Sequence, residues 1–426
     1  MSTHFARDAS PVRRRVLISG ASFAGPALAF WLHRYGFAVT IVERAAALRS
    51  GGYPIDVRGT AIDVAERMGL LPGLRGAHIG SKRLTFIDGE GRALAEIGPE
   101  MMTGGRDVEV PRGVLTKMLV DLTRDDVIYR FGTSIEHLVD RGEEVEVTFS
   151  DGGRASFDVV IGADGLHSNT RALVFGPESQ FEYPIGFCFA GFLTPNTLGL
   201  SREAVCYNVP GRVAVLYAVG ERPETVHAFL AFAHPRLSEQ EARDHDRQRR
   251  LTAEAFADGG WKTPELVEAM LAADDFYFDT VQQIRMPCWS RGRVALVGDA
   301  AHAPSFLTGQ GTSLALVGAY VLAGELASHA DHTAAFAAYD RKLRPFVELN
   351  QARVGEGRAT LIPVTQEQLE ERNRSFAAMT SRDNTSSDNT SSDTASIDTT
   401  DSAAAPTVDF RHALSLEDYN VTVTRS

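Results

Sequence analysis

The chain has 426 residues, of which 44% are apolar and 23% are charged, as is usual for a folded globular protein. Its formal net charge of −12 would repel a phosphate backbone, so no nucleic-acid partner is expected. The cysteines Cys188, Cys206 and Cys288 form no CxxC pair, which argues against a cysteine zinc site and favours a reducing compartment. No apolar stretch is long enough to span a bilayer, so we predict no membrane association.

The opening segment RRRVLISGASFAGPALAFWLHRYG supports two interpretations. Arginines followed by an apolar run have the outline of a secretory signal, although Ser19, Ser22 and Pro26 interrupt the run. The same residues also predict a strand, a glycine turn and a helix, which open a nucleotide-binding fold. The second interpretation is preferred because later segments supply the other parts of such a fold.

The first motif is a predicted βαβ unit. An apolar strand at 16–18 precedes the turn GASFAG (20–25), a helix follows, and the next strand, FAVTIVE, ends at Glu43. An acid about 20 residues beyond a glycine turn is the dinucleotide fingerprint, except that Ser22 replaces the middle glycine. The turn would admit a pyrophosphate at the helix N-terminus, and Glu43 would bind a ribose. The alternative is an ordinary βαβ unit that binds nothing.

The second motif is FDVVIGADGLHSNTR (157–171), in which a buried strand delivers Asp164-Gly165 and Ser168 is a helix N-cap. On its own it is also compatible with a plain strand–turn–helix. The third motif lies in 292–326, where a strand delivers Gly298-Asp299 and the loop GQG (309–311) opens a long apolar helix. An acid at a strand end beside such a helix N-terminus suits a polyol and an anionic ring.

Residues 181–285 differ from their flanks because aromatic and β-branched residues dominate, as in FEYPIGFCFAGF and TVHAFLAFAH. This pattern predicts antiparallel strands. We therefore predict an α/β fold in which a mainly antiparallel β-sheet substrate domain is inserted into a Rossmann-like domain, with C-terminal helices. The predicted bounds are 13–178 and 286–330 for the Rossmann-like domain, 179–285 for the substrate domain and 331–380 for the C-terminal helices.

The C-terminal part changes composition twice. Segment 381–405 is rich in Ser, Thr, Asp and Asn and nearly lacks large apolar side chains. It cannot bury enough surface to offset its ordering entropy, so we predict a disordered linker. Apolar side chains return in 406–426, which predicts a tail that docks on the body through Val408, Phe410, Leu414, Leu416 and Tyr419.

Taken in order, these motifs resemble the FAD-dependent aromatic hydroxylases, which are single-component flavoprotein monooxygenases of the 4-hydroxybenzoate hydroxylase type. PRGVLTKML is also similar to the family's arginine-bearing helix start and places Arg112 on the pyrophosphate side. The resemblance covers about residues 13–375. The chain looks most similar to the tetracycline-inactivating monooxygenases and to small actinobacterial relatives that tailor polycyclic aromatics.

The resemblance implies a Rossmann-like FAD-binding domain with one FAD, and NADPH or NADH as a transient reductant. Reduced flavin would capture dioxygen as a flavin 4a-hydroperoxide and insert one oxygen atom into an aromatic or polyketide-like small molecule. A Baeyer–Villiger or epoxidising reaction, and a protein that binds FAD or a polycyclic ligand without turnover, are the alternatives. A cytoplasmic monomer or homodimer without a metal is expected.

The resemblance also assigns residues. The cofactor-binding positions that it implies are Gly20, Ser22, Gly25, Glu43, Arg44, Arg49, Asp56, Arg112, Asp164, Asp299, Gly309, Gly311 and Thr312. Strand alternation and the loop before Gly309 predict substrate contacts at Phe187, Tyr207, Tyr217, Phe229 and Phe306. Phe306 stands where the family commonly has proline, so we expect it to shape the pocket. No general base is evident, and His302 is expected to be structural.

Overall fold

The structure is a computed structural model that describes residues 13–48, 53–99, 105–238, 240–386 and 409–419. Its strands within these ranges are β1 (Arg15–Ser19), β2 (Ala38–Glu43), β3 (Pro54–Val57), β4 (Arg83–Ile87), β5 (Ala93–Ile97), β6 (Val108–Pro111), β7 (Ile128–Phe131), β8 (Ile135–Asp140), β9 (Val145–Phe149), β10 (Arg154–Phe157), β11 (Val159–Gly162), β12 (Glu182–Pro195), β13 (Glu203–Val209), β14 (Arg212–Tyr217), β15 (Thr225–Ala233), β16 (Tyr277–Ile284), β17 (Ser290–Arg291) and β18 (Val294–Leu296). Its α-helices there are α1 (Ala24–Arg34), α2 (Thr60–Arg67), α3 (Leu71–Gly76), α4 (Arg112–Asp121), α5 (Asn169–Val174), α6 (His245–Ala255), α7 (Thr263–Ala272), α8 (Asp299–His302), α9 (Gly311–Ser328), α10 (His332–Gln351), α11 (Val354–Leu361) and α12 (Gln366–Ser386).

The three sequence motifs meet in one six-stranded sheet, in the order β17-β18-β11-β1-β2-β7. All neighbours except β17 and β18 run parallel. Val16, Leu17 and Ile18 of β1 are fully buried, as expected for a central parallel strand that is covered on both faces. The predicted α/β class is confirmed. The opening segment forms this strand and helix α1, so the signal-peptide interpretation does not describe its structure.

The second large sheet has seven strands in the order β16-β12-β15-β14-β13-β4-β5. Its members β12 to β16 lie inside the predicted range 179–285. The hairpin β4–β5 lies outside that range, within 13–178, and joins the sheet because β4 pairs in parallel with β13. The sheet therefore draws on two separate parts of the chain, whereas the sequence pattern suggested one continuous insertion.

The two faces of the seven-stranded sheet have different coverings. Cys188, Leu230 and Phe232 pack with side chains of α6 and α7 on one side, which we call the outer face. The opposite, inner face carries Phe187, Phe189 and Phe229 and is turned toward the remainder of the molecule. Since side chains alternate along a strand, the face of each residue follows from its position.

Helix α9 is long and apolar enough to cross a membrane by length and composition, which differs from the expectation that no such stretch exists. However, 83% of this helix is buried inside the protein. It packs against α1, α2 and α10, so its apolar character is explained by contacts on all sides rather than by lipid.

The C-terminal part closes the fold. Helices α10 and α11 fall in the predicted helical range, and α12 continues to Ser386, into the segment 381–405 that we predicted to be disordered. The helix extends there because each added residue prolongs an existing hydrogen-bonded helix. Residues 387–408 and 420–426 lie outside the described ranges. Segment 409–419 docks on the body, where Leu414, Leu416 and Tyr419 contact the main core.

Candidate active site

The glycine turn after β1 is held by very close packing. Gly20 has φ = +111°, and a Cβ atom there would lie 2.3 Å from the carbonyl oxygen of Ala163. A Cβ atom at Gly25 would lie 1.9 Å from the carbonyl oxygen of Gly20. Both glycines are therefore required by the contact between the turn, α1 and β11. No side chain in the described part of the protein caps α1, so its N-terminus can accept an anion.

Glu43 lies at the end of β2, as predicted, and faces this turn. Its carboxylate accepts hydrogen bonds from the amides of Ala21 and Ala45, each at 2.9 Å. A carboxylate that accepts two backbone hydrogen bonds is held in one orientation and can still accept a ribose hydroxyl. Arg44 is exposed directly beside it.

Arg112 is the first residue of α4 and reaches the same turn. Its guanidinium donates to the Ser22 hydroxyl at 3.4 Å and lies 5.6 Å from the centre of the Phe23 ring. The serine that replaces the middle glycine thus contacts the arginine, whereas a glycine would have no side chain to do so. A fixed positive charge and an open helix N-terminus occupy one place, which is the chemistry of a phosphate site.

Asp299 follows β18 and Gly298, whose φ of +65° makes the tight exit from the strand. Burial raises the pKa of the Asp299 carboxyl, and the charge of Arg112 partly opposes this effect. Within the described part of the chain, no donor makes a hydrogen bond to this carboxylate. Asp299 is only partly exposed, and a carboxylate of this kind without a protein donor is suited to a ligand that brings hydroxyl groups.

The loop 309–311 lies next to Asp299 and opens α9. A Cβ atom at Gly311 would be 3.9 Å from the carboxylate oxygen of Asp299. The side-chain oxygen of Gln310 is buried and has no partner among the described residues. None of the side chains that the structure describes caps α9, whose first turn includes Thr312. This helix start therefore offers unused donors and a positive dipole end.

Asp56 lies on β3 and approaches the same loop from the other side. It forms an ion pair with Arg58 at 2.9 Å, and burial raises its pKa to about 6. The backbone amide of Arg58 donates to the Ser313 hydroxyl at 3.0 Å, which ties β3 to α9. A Cβ atom at Gly309 would lie 3.8 Å from the Asp56 carboxylate. Arg49, which was also predicted to bind the cofactor, lies outside the described residues.

Asp164 holds its own loop together. Its carboxylate accepts hydrogen bonds from the amide and hydroxyl of Thr170 at 2.9 and 2.8 Å and from the Ser19 hydroxyl at 3.3 Å. It also accepts one from Ser168, the N-cap of α5, as predicted. These contacts occupy both oxygens, so Asp164 positions the loop between β11 and α5 beside β1.

Aromatic side chains from both parts of the molecule converge in the cleft beside Arg112. Phe306, in the loop after Asp299, is 44% exposed, and its ring centre lies 4.9 Å from that of Phe189 on the inner face. Tyr53 and Phe229 pack edge to face with centres 5.7 Å apart. These rings form apolar surfaces of the kind that a flat molecule contacts through its own rings.

The other predicted substrate residues occupy different places. Phe187 is buried among side chains that include Val281, Leu307 and Ile362. Tyr217 is buried on the inner face, and its hydroxyl donates to Glu109 at 2.6 Å and also contacts Ser81. Tyr207 is on the outer face, where its ring contacts Trp261, so it does not join the cleft. Strand alternation decides this, because the neighbouring Cys206 faces inward.

A polar cluster at the cleft went unnoticed in the sequence. The Tyr277 hydroxyl donates to Asp279 at 2.6 Å, and His167 contacts Asp279 at 3.1 Å and Glu178 at 2.9 Å. Hydrogen bonds to Asp279 and then Glu178 raise the pKa of His167 to about 10. The cluster joins the loop after Gly165 to the edge strand β16. The alternation in YFD, which puts Tyr277 and Asp279 on one face, was the available signal.

His302 is fully enclosed, as expected for a structural residue. Its ring lies 4.8 Å from the Trp289 ring, and its Nε2 atom lies 3.5 Å from the Tyr339 hydroxyl. Burial lowers the pKa of His302 to about 3, so the ring is neutral near pH 7.

Comparison with known proteins agrees with this geometry. A family model described as an FAD binding domain matches residues 13–354, and the chain belongs to this family. The chain is 44% identical over 366 residues to an uncharacterized protein of Mycobacterium tuberculosis strain H37Rv, covering 84% of this chain and 97% of that protein. It is 40% identical over 369 residues to a flavin-dependent monooxygenase of an unknown prokaryotic organism, covering 85% and 95%.

The crystal structure of tetracycline destructase Tet(55) matches with a TM-score of 0.77 and 37% identity, covering 88% of this chain and 97% of that one. The predicted resemblance is thereby confirmed: the protein is an FAD-dependent monooxygenase of the aromatic hydroxylase type. The residues present fit the cofactor. Among the described residues, the buried side-chain oxygen of Gln310 has no donor, and no side chain caps the N-terminus of α1 or α9.

Proposed function

We propose that the protein uses NADPH or NADH to reduce bound FAD and then inserts one oxygen atom of dioxygen into an aromatic or polyketide-like small molecule. One observation carries this proposal. The rings of Phe306 and Phe189, and of Tyr53 and Phe229, meet across the two parts of the molecule beside the site of Arg112 and Asp299. A flat aromatic substrate would be held between these rings and next to the cofactor.

The cofactor would be held along its length by the residues described above. We assign the pyrophosphate to the first turn of α1 with Ser22 and Arg112, and the adenosine ribose to Glu43. Asp299 would accept hydrogen bonds from the ribityl chain. The first turn of α9, at Gly311 and Thr312, would stabilise negative charge on the reduced ring, and Asp56 would lie on its other side.

Bound FAD supplies the activation of dioxygen, which amino acid side chains cannot perform. The chain's own residues orient the substrate and exclude water from it. Phe229 and Phe306 contribute apolar walls, and the hydroxyl of Tyr277, which is already donated to Asp279, keeps its lone pairs available to a hydroxyl group of the substrate.

A polycyclic, hydroxylated aromatic is the substrate class that we propose. The 37% identity to a tetracycline destructase supports it, because that protein's name specifies a polycyclic polyketide. The wall of aromatic rings also favours a large planar ring system over a small aliphatic one. Hydroxylation is our first choice, with Baeyer–Villiger oxidation, epoxidation and ligand binding without turnover as alternatives.

The unpaired cysteines support a cytoplasmic location for this activity. Cys188 and Cys206 are buried free thiols, and Cys288 is an exposed one. Free thiols of this kind are usual where the environment is reducing. We retain a monomer or a homodimer as the predicted assembly.

Turnover under labelled oxygen tests the proposal. The purified protein should be yellow and should oxidise NADPH or NADH faster when polycyclic phenols such as tetracyclines or anthraquinones are added. Under ¹⁸O₂, mass spectrometry should find one labelled oxygen atom in the product, and NMR would distinguish a phenol from a lactone or an epoxide. A colourless protein that does not take up FAD would contradict the proposal. Binding of these compounds without product would favour the non-catalytic alternative.

A further inference from the structure

The C-terminal segment 409–419 lies beyond the region that the family model matches, which ends at residue 354. Its seat on the body is nevertheless built with close complementarity. A Cβ atom at Gly324, on α9, would lie 2.2 Å from the ring of Tyr419. A Cβ atom at Gly59, after β3, would lie 2.3 Å from the carbonyl oxygen of Arg411. Only glycine at these two positions admits the tail.

The first half of the tail contacts the turn between β3 and α2. The carbonyl oxygen of Arg411 accepts a hydrogen bond from the amide of Thr60 at 2.9 Å. The Arg411 guanidinium pairs with Asp107 at 2.9 Å, and the other carboxylate oxygen of Asp107 accepts the amide of Gly59 at 3.0 Å. Asp107 is nearly inaccessible, with a side-chain exposure of 5%, so solvent screens this bridge only weakly.

That turn is continuous with the flavin side of the cleft. Arg58, one residue before Gly59, pairs with Asp56 and binds Ser313 on α9. A displacement of the turn would therefore move the Asp56–Arg58 pair relative to the loop 309–311. The tail contacts this turn a second time, because the carbonyl oxygen of Leu414 accepts a hydrogen bond from the Thr60 hydroxyl at 3.2 Å, but only Arg411 reaches Asp107 from the described residues of the tail.

The tail also contacts α10 and the residue before α11, which lie next to the loop that carries Phe306. The Phe410 carbonyl oxygen accepts from the buried side chain of Asn350 at 3.3 Å, and Arg353 lies 4.6 Å from the Phe410 ring centre. Arg353 precedes α11, and a Cβ atom at Gly357 in that helix would lie 1.8 Å from the carbonyl oxygen of Leu307. Segment 409–411 thus links β3 to the helix that supports the Phe306 loop.

We infer that Arg411 is a positioning residue of the flavin site, which acts through Asp107 and Gly59 to hold β3 against the start of α9. The inference rests on the proposed placement of FAD but not on the proposed substrate. Arg411 contacts no reacting group, so we expect its loss to affect the binding of the cofactor and the protection of β3 from hydrogen exchange. Coupling through such packed contacts changes affinity by about twofold to thirtyfold, and we expect a value within this range.

Two full-chain variants separate this role from general docking of the tail. Arg411→Ala removes the bridge at the β3 turn. Glu417→Gln removes an ion pair with Lys342 at the other end of the tail, 2.7 Å long, which is remote from that turn. Both variants should weaken the docking of the tail on the body, but only Arg411→Ala should weaken the binding of FAD. Arg411→Lys keeps the charge near Asp107 and should retain most of the affinity.

Fluorescence titration should give a dissociation constant for FAD about fivefold to tenfold higher in Arg411→Ala and within about twofold of wild type in Glu417→Gln. Hydrogen exchange of the cofactor-free protein should be faster in peptides covering 54–62 in Arg411→Ala alone. If Arg411→Ala does not fold, Arg411→Gln, which removes the charge but keeps most of the aliphatic side chain, provides the same comparison. Equal effects in the two variants, or unchanged affinity and exchange in Arg411→Ala, would overturn the inference. Failure of wild type to bind FAD would instead refute the proposed function.

Discussion

The guanidinium group of Arg112 and the hydroxyl group of Ser22 lie 3.4 Å apart, although 90 residues separate them in the chain. This contact brings the start of α4 to the start of α1. A positive side chain and an uncapped helix N-terminus then face one position, where a diphosphate would be bound by charge-assisted hydrogen bonds. The serine that departs from the usual glycine motif thus contacts the arginine that we propose to bind the diphosphate.

Arg112→Ala should weaken FAD binding. A hydrogen bond to a charged group contributes about 1.5–3 kcal/mol, so we expect the dissociation constant to rise roughly tenfold to a hundredfold. Quenching of FAD fluorescence measures it. Arg124→Ala is the control, because Arg124 is an exposed arginine just after α4 whose one ion-pair partner among the described residues is Asp121, at 3.4 Å. Equal affinities of the two variants would remove Arg112 from the cofactor site.

Gly20→Ala should destabilise the fold. The new Cβ atom would meet the carbonyl oxygen of Ala163 at 2.3 Å, and φ at this position is +111°. Backbone strain of this kind costs about 1–3 kcal/mol before the clash is added, so we expect a fall in Tm of several degrees.

Gly355→Ala is the matched control for the glycine variant. It lies in α11, where a Cβ atom meets nothing within 4 Å, so alanine should stabilise the helix by up to about 1 kcal/mol. Thermal unfolding by circular dichroism measures both. A Gly20→Ala protein as stable as wild type would mean that the turn packs differently.

His167 should make stability depend on pH in the alkaline range. Its folded pKa of about 10 lies above the unfolded value of about 6.5, so the protonated ring stabilises the native state. This contribution is complete below about pH 6.5 and is lost as the pH rises toward 10. The side chain is 54% exposed, so solvent screening keeps the effect small.

Thermal unfolding between pH 6 and pH 10 measures the effect of His167. Wild type should lose more stability than His167→Gln over this interval. Glutamine can donate a hydrogen bond to Asp279 or Glu178, but it has no group that titrates between pH 6 and pH 10. Parallel curves for the two proteins would show that folding does not raise the pKa of His167.

Phe306→Ala should change substrate binding without changing FAD affinity. The ring contacts Phe189 and is otherwise exposed in the cleft, so its loss removes apolar contact with a substrate. We expect KM for a polycyclic phenol to rise about tenfold, which corresponds to the roughly 1.4 kcal/mol that part of an aromatic contact supplies. Steady-state NADPH oxidation measures it.

Tyr207→Phe is the control for the cleft. It keeps the ring on the outer face and removes only the hydroxyl that accepts the Gly260 amide at 3.2 Å. KM should therefore stay within about twofold of wild type. A larger effect of Tyr207→Phe than of Phe306→Ala would place the substrate on the other side of the sheet.

The parts of the fold that local patterns encode were predictable. Strand β11 covers the predicted residues Val159 to Gly162, α4 begins at Arg112, and Ser168 caps α5. Each of these depends on residues a few positions apart: an apolar run, a glycine, or a hydroxyl three residues before an amide. The order of the three motifs then indicated the cofactor family.

Long-range pairing was not predictable from such patterns. β4 pairs with β13, which is about 120 residues away, and no local periodicity encodes that register. The same limit applies to the substrate residues. Alternation shows that Cys206 and Tyr207 face opposite ways, but only the sheet's position between two coverings decides which face is inward. Tyr53 and Tyr277 also lie beside the cleft because of how distant parts of the chain pack, which no local pattern encodes.

A crystal structure of the protein grown with FAD is the most direct measurement, since the account depends on Ser22, Arg112 and Asp299 sharing one ligand. We expect one FAD whose pyrophosphate lies within hydrogen-bond distance of Arg112 and the first amides of α1, and whose ribityl chain contacts Asp299. An FAD bound away from these residues, or protein that remains free of FAD at saturating concentration, would contradict the assignment.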